Sequence, residues 1–526
     1  MSSRVWLARS FAVFLFLLVL LTRFVKVDWG DGYFFHPDEN NMAQAVSRMS
    51  PDDLDPRFYA YGQLPLFLSY FSLRLVGLSN SFENAVISLR LWSGLFSSIS
   101  VLFIYLIAQK LFPPRIALAC FAFSIFSPGL IQSAHFGTTE SILLFVFAAN
   151  LFLSLNFVST GNLALLLVAA IISGFGLATK VTALILMGPV YLAILVHLFR
   201  TKKILLSLLT LLLFTLLALV IFILASPFNL ISRADFLSTL KYEASVATGT
   251  SPVFYTRQFI GTLPYIFQLL RVFPYALGIP LCLAAAIGWF LSLVPSVGKH
   301  KTFWFIIIFS SLAYFVYNGQ LYTKWTRFMA PLFILAPLFA ANFIKAFPAS
   351  SKVKASLLVL CLIPGWLFLT IYFQKDIRVT ASEWLITNIK SGSTVLSEAG
   401  NVVNLPVGDH QLIVVNFDFY GLDASPTLQQ ELPNHLYSAD YLLVPSRRIF
   451  KNQSSPSFPY SQRYYQKLFS GELGFLPVKV FSNPLATLLD TENAEETFSV
   501  FDHPKIRLYK KITPKSQGEY QSLLTP

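Results

Sequence analysis

Long apolar blocks fill the first 375 residues of this 526-residue chain, and they constrain its fold more than any motif does. Most are about 18 to 24 residues long, the length of a helix that crosses a hydrocarbon core of roughly 30 Å. Backbone in lipid must satisfy its own hydrogen bonds, and continuous apolarity of this length fits helices rather than barrel strands. The blocks lie at 10–27, 86–109, 115–132, 138–156, 162–179, 181–199, 204–225, 264–295, 302–317, 328–346 and 355–374, with 264–295 read as one long or broken helix. Composition agrees: 55% of residues are hydrophobic and only 12% charged, against about 25% charged in a soluble domain. The sequence predicts a polytopic α-helical membrane protein with about 11 transmembrane helices.

The formal net charge of +13 must be read by position. Residues 1–375 hold 26 Lys and Arg against 11 Asp and Glu, whereas residues 376–526 hold 13 against 15. With Arg4 and Arg9 cytoplasmic, the turns expected inside carry Lys110 and Arg115; Arg200, Lys202 and Lys203; Lys299 and Lys301; Lys345, Lys352 and Lys354, with no acid among them. Every acidic residue of this half falls on the opposite face, and so does the tail. The excess charge is therefore mostly topology, that of a multi-pass protein of the cell (plasma) membrane. No like-charge run or basic aromatic tract supports nucleic-acid binding. Arg23 and Lys26 follow the first block where a cleavage site would need small residues, so it reads as an anchor. Cys120, Cys282 and Cys361 all sit in apolar blocks, and a cysteine-free tail in an oxidising compartment points to a prokaryotic source.

Two external loops are long, 28–85 and 226–263. The first contains Leu64 to Leu78, an apolar stretch broken by Arg74 that suits an interfacial helix. The domain division is thus a transmembrane unit, 1–375, and an extracytoplasmic domain, 376–526. In the tail, helical spacing at Ser382 to Ile389 and at 462–469 alternates with β-rich runs at 411–417, 441–444, 477–481 and 505–509, which predicts a small α/β fold.

Four features can carry chemistry. His36–Pro37–Asp38–Glu39 opens an amphipathic helix, with Pro at its first position and acids in its first turn. Besides starting that helix, a carboxylate at the membrane face can act as general base toward an acceptor hydroxyl. Ala134 to Ser141 (AHFGTTES) places His135 and Glu140 at helix ends. Glu140 can cap its helix or serve a site, and His135 a structural hydrogen bond or a site. Lys180, in GLATK, emerges externally against the positive-inside trend, either snorkelling or facing a phosphate. Lys324 and Arg327 lie three residues apart in a short external loop and suit an anionic ligand; Arg257 and Arg271 are weaker candidates of the same kind. All four features fall on one face. Carboxylates beside cations suit transfer of a sugar from a lipid phosphate, whose leaving phosphate the cations stabilise.

HPDE, SAHFGTTES, GLATK, the K-x-x-R-F-M-A-P-L segment at 324–332 and Phe501–Asp502–His503–Pro504 together resemble the GT-C superfamily, nearest the protein O-mannosyltransferase and aminoarabinose transferase group. The resemblance implies an inverting transfer from a polyprenyl-phosphate-linked sugar donor to a hydroxyl-bearing acceptor. It implies Asp38 as base, with Glu39 positioning the acceptor or sharing the role; Glu140 as the acid opening the fourth span; and Lys180, Lys324 and Arg327 at the lipid phosphate. His36, His135 and Arg257 complete the expected substrate-binding set. Related oligosaccharyltransferases need a divalent metal and protein O-mannosyltransferases do not; the scattered external acids here support no metal site, so no cofactor is expected. An oligosaccharide ligase or polymerase would use the same kind of donor. A secondary transporter, with Asp38, Glu140 and Lys180 as an ion path, is a further alternative that normally places such groups near the bilayer midplane.

Overall fold

Each expected apolar block coincides with a helix or a bent helix pair in the computed structural model, which describes residues 3–294, 299–398, 405–407 and 412–526. Pro295 of the expected 264–295 block and Gln411 of the expected 411–417 strand lie outside the described residues. The helices are α1 (Ser3–Phe24), α2 (Pro37–Arg48), α3 (Leu64–Leu75), α4 (Phe82–Leu111), α5 (Pro114–Ile125), α6 (Pro128–His135), α7 (Glu140–Thr160), α8 (Ala164–Leu177), α9 (Gly188–Thr201), α10 (Ile204–Ala225), α11 (Phe228–Ile231), α12 (Arg233–Thr248), α13 (Phe273–Leu277), α14 (Ile279–Ser292), α15 (Lys299–Gly319), α16 (Thr326–Phe333), α17 (Ala336–Ala346) and α18 (Ser351–Phe373). Among the described residues six helices are long and apolar enough to cross a membrane, or up to nine when each bent pair is one span. The expected blocks at 10–27 and 162–179 correspond to shorter apolar helices, Val13–Phe24 and Ala164–Leu177.

The bends have chemical causes. Pro128 starts α6 without an N–H to continue α5, and that pair turns by 51°. The 264–295 block is sharply broken: residues 268–277 and α14 meet at 114°. Gly278 makes the corner at φ +78, where an added Cβ would lie 2.5 Å from Pro364. α16 and α17 are bent by 48°, with Pro337 in the first turn of α17.

α2 and α3 form the first long loop's own small core: Met42, Ala45, Val46 and Met49 pack with Leu66, Tyr70 and Leu73 against α4. The tail is a five-stranded sheet of β1 (Thr394–Glu398), β2 (Ile413–Phe417), β3 (Tyr441–Val444), β4 (Phe475–Phe481) and β5 (Ile506–Lys511) in the order β2-β1-β3-β5-β4. β2, β1 and β3 run parallel; β5 and β4 are antiparallel. β1, central and mostly buried, has no counterpart among the expected strands. An aromatic cluster fastens the tail to the membrane unit: Trp29, Phe35, Phe136, Phe368 and Tyr372 pack with Phe498 and Phe501.

Candidate active site

Adjacent residues on a helix point about 100° apart, so the two acids of α2 part company. Asp38 faces α16 and pairs there with Arg327, which lines a cleft beside the pair; both side chains are about one-fifth exposed (22% and 21%). Glu39 faces α4 instead and is completely buried. Its carboxylate takes a bidentate bond from Arg90, at 2.8 and 2.7 Å, and a third from the Gly137 amide at 2.7 Å. The remaining Arg90 nitrogen donates to the carbonyls of Val27 and Trp29. A Cβ on Gly137 would come within 2.8 Å of Leu89 and 2.9 Å of Glu39, so the glycine of AHFGTTES lets that backbone reach the carboxylate. The structure thus corrects the expectation that Glu39 joins Asp38 at the acceptor: it fixes α2 to α4 and to the start of α7.

His36 caps α2, its Nδ1 accepting from the Glu39 amide at 3.4 Å, with its ring between Phe136 and Phe501 at 4.5 Å from each. Accepting at Nδ1 requires a neutral ring there. Burial first, then the charges of Arg327, Arg90 and Arg448, push its pKa well below the usual histidine range. His135 is buried and stacked on Tyr372 at 3.6 Å, with its ring nitrogens 2.8 and 2.9 Å from the Ile131 and Val25 carbonyls. That places it in the wall and not in the cleft.

The cleft itself is lined by His36, Gln132, Glu140, Thr326, Arg327 and Thr497, among others. Glu140 is 5% exposed; it accepts from Thr139 Oγ1 at 3.4 Å and joins no ion pair among the described residues. Lys180 approaches from the other side: its Nζ lies 5.2 Å from the Tyr61 ring and 5.0 Å from that of Phe328. Tyr61 also receives a long hydrogen bond, 3.4 Å, from Arg327. Two cations therefore flank one phenol, whose pKa is pushed well above its usual value, first by burial and then by the carboxylates of Glu140 and Glu243. Tyr61 was not among the expected residues, and no spacing marks it. It is placed by its neighbour: Gly62 and Leu64 donate to the Thr179 and Ala178 carbonyls at 2.9 and 3.1 Å, and a Cβ on Gly62 would sit 2.0 Å from the Ala178 oxygen.

Three expected anion-binding residues are elsewhere. Lys324 is buried beneath the second long loop, donating to the Tyr322 carbonyl at 2.8 Å and lying 5.7 Å from the Phe259 ring, and burial pushes its pKa down to about 8. Arg257 donates to the Tyr420 carbonyl at 2.9 Å and lies 4.9 Å from the Phe458 ring, so it holds the tail. Arg271 likewise donates to the Asn493 carbonyl, at 3.3 Å. For a divalent metal the donor set fits poorly: Glu39 is spent on Arg90 and Asp38 is paired with Arg327. Among the described residues no three His, Cys, Asp or Glu side chains come together.

Helices, cleft and tail together define a membrane protein of the GT-C glycosyltransferase fold. Residues 70–228, which contain the SAHFGTTES and GLATK elements, match the family model described as dolichyl-phosphate-mannose-protein mannosyltransferase. In structure the chain is similar to ArnT from Cupriavidus metallidurans bound to undecaprenyl phosphate, with a TM-score of 0.52 at 12% identity over 100% of both chains. It is also similar to the archaeal oligosaccharyltransferase AglB from Archaeoglobus fulgidus, in complex with an inhibitory peptide and a dolichol-phosphate, with a TM-score of 0.50 at 11% identity over 88% of this chain and 73% of that one. No curated protein matches the sequence significantly.

Proposed function

We propose that the protein is an integral membrane glycosyltransferase that moves a sugar, with inversion, from a polyprenyl-phosphate donor to a hydroxyl acceptor at the cleft on the tail-bearing, extracytoplasmic face. The observation that carries this reading is the convergence of Asp38, Tyr61 and Lys180, from three other segments, on Arg327 at the edge of the cleft. A transporter reading lacks this support, because the charged groups gather at helix ends beside the tail.

The chemistry follows from the partners. Arg327 is held by Asp38. A donor phosphate offers Arg327 a second anion, and Lys180 and the Tyr61 hydroxyl add a charge and a donor beside it. Arg327 then turns to the phosphate and Asp38 is free to accept a proton. The acceptor oxygen forms a bond to sugar C1 as the bond from C1 to the phosphate oxygen breaks. The phosphate leaves with that electron pair, stabilised by Arg327 and Lys180, and the hydroxyl proton passes to Asp38. Glu140, which lines the cleft and joins no ion pair among the described residues, would bind sugar hydroxyls.

Incubating the purified protein with a panel of undecaprenyl-phosphate sugars and membrane acceptors, and following release of undecaprenyl phosphate by mass spectrometry, tests the reading. Release that depends on both donor and acceptor supports it; no release with any pair, by a protein that binds no undecaprenyl phosphate, counts against it.

A further inference from the structure

The tail does more than line the cleft through Thr497. Its segment 491–503 inserts a carboxylate, Glu495, into the membrane unit, where it is completely buried. Glu495 Oε2 accepts from the Thr326 amide at 2.8 Å, and Oε1 accepts from Gln258 Nε2 at 2.9 Å. The carboxylate also caps its own short helix, Glu496–Ser499, through the Thr497 amide at 3.2 Å and the Thr497 hydroxyl. The Glu495 amide in turn donates to the Arg271 carbonyl at 3.0 Å. Thr326 opens α16, and its Ncap residue, Trp325, offers no side-chain oxygen. Thus α16 takes its N-terminal cap from a residue 169 positions away, in another domain. The next residue along α16 is Arg327.

We infer that Glu495 is a positioning residue for Arg327: by capping α16 from the tail it fixes the helix turn from which the guanidinium meets the donor phosphate. This rests on the proposed function. The physical case is that an orphan N-terminal amide otherwise frays the first turn, and Arg327 sits in that turn. The clamp is anchored on both sides. Gln258 Oε1 accepts from the Glu496 amide at 3.3 Å, Arg448 pairs with Glu496 at 3.3 Å, and Arg447 donates to the Ala494 carbonyl at 2.8 Å. The tail segment cannot shift without moving the cap.

The test uses the full-length protein in lipid nanodiscs. Binding of undecaprenyl phosphate is measured for wild type, Glu495→Ala, Glu495→Gln, Arg327→Ala and the Glu495→Ala/Arg327→Ala pair, with amide hydrogen exchange over 326–330. Glu495→Ala is expected to speed exchange there and to weaken binding about five- to tenfold. Glu495→Gln, which keeps an acceptor oxygen for Thr326, is expected to recover most of that loss. In the Arg327→Ala background Glu495→Ala should cost almost nothing further, a coupling that general loss of stability does not produce. Equal binding by Glu495→Ala and wild type, or losses that simply add in the double variant, would overturn the inference and leave the proposed function standing. Wild type that binds no undecaprenyl phosphate would overturn the proposed function and the inference with it. Should Glu495→Ala fail to fold, Glu495→Asp, one methylene short of Thr326, takes its place with the same expectations.

Discussion

Asp38 and Arg327, 289 residues apart in sequence, form an ion pair that joins α2 to α16. An arginine fork suits carboxylate and phosphate alike, so the pair is exchangeable in a way that the buried Arg90 and Glu39 pair is not. Arg327→Lys should therefore bind undecaprenyl phosphate about tenfold more weakly than wild type, although charge is conserved, because a point charge does not replace the fork. Titration of the nanodisc-embedded protein with undecaprenyl phosphate measures this directly.

The neighbouring acid behaves differently. Glu39→Gln leaves the buried Arg90 without a counter-charge, and removing one partner of a buried pair typically costs about 3–5 kcal/mol. The expected outcome is a marked drop in thermal unfolding midpoint in detergent. Residual folded protein should still bind donor, since Glu39 does not line the cleft. Unchanged stability with abolished transfer would instead put Glu39 in the chemistry.

Histidine 36 makes the cap pH-sensitive. Its pKa in the folded protein is far below the unfolded value of 6.5, so the folded state resists its protonation. The stability contributed by the neutral ring is full above pH 6.5 and declines as pH falls below it. The thermal unfolding midpoint of wild type should fall between pH 6.5 and 5, and His36→Asn, which keeps an oxygen to cap α2, should flatten that part of the profile.

Lys180 and Lys324 separate binding from burial. Lys180→Ala should weaken undecaprenyl phosphate binding, whereas Lys324→Met should leave it close to wild type. For Lys324 the sign is opposite to that of a paired lysine: its pKa is lowered to about 8 by burial, so the charged side chain opposes folding below pH 8. That cost shrinks as pH rises from 8 toward 10.5. Lys324→Met should raise the unfolding midpoint most below pH 8, and a lowered midpoint there would show the ammonium to be stabilising.

Apolar blocks made most helices of the membrane unit legible in the sequence, because lipid leaves a long apolar block few options. The AHFGTTES and GLATK elements stood out in the sequence as polar segments between apolar blocks, but the contacts of their side chains did not. Glu39 looked catalytic because it is adjacent to Asp38; only the helix period combined with the position of Arg90 sends it the other way. Tyr61 and Glu495 carried no signal, since both act through contacts with segments far away in sequence. Lys324 and Arg257 looked like phosphate ligands for their charge, and tertiary packing directed them to a carbonyl and to the tail. In the tail, β1 escaped notice because a short strand buried between two parallel neighbours has no alternating pattern.

The central claim, that Asp38 accepts the acceptor's proton in a cleft where Arg327 holds the donor phosphate, is tested most directly by comparing Asp38→Asn with wild type in a donor-dependent transfer reaction while measuring undecaprenyl phosphate binding on the same preparations. The account predicts that transfer falls by about a hundredfold or more, while binding is kept or tightened because Arg327 is released from its partner. Transfer near the wild-type rate by a folded Asp38→Asn protein would contradict it.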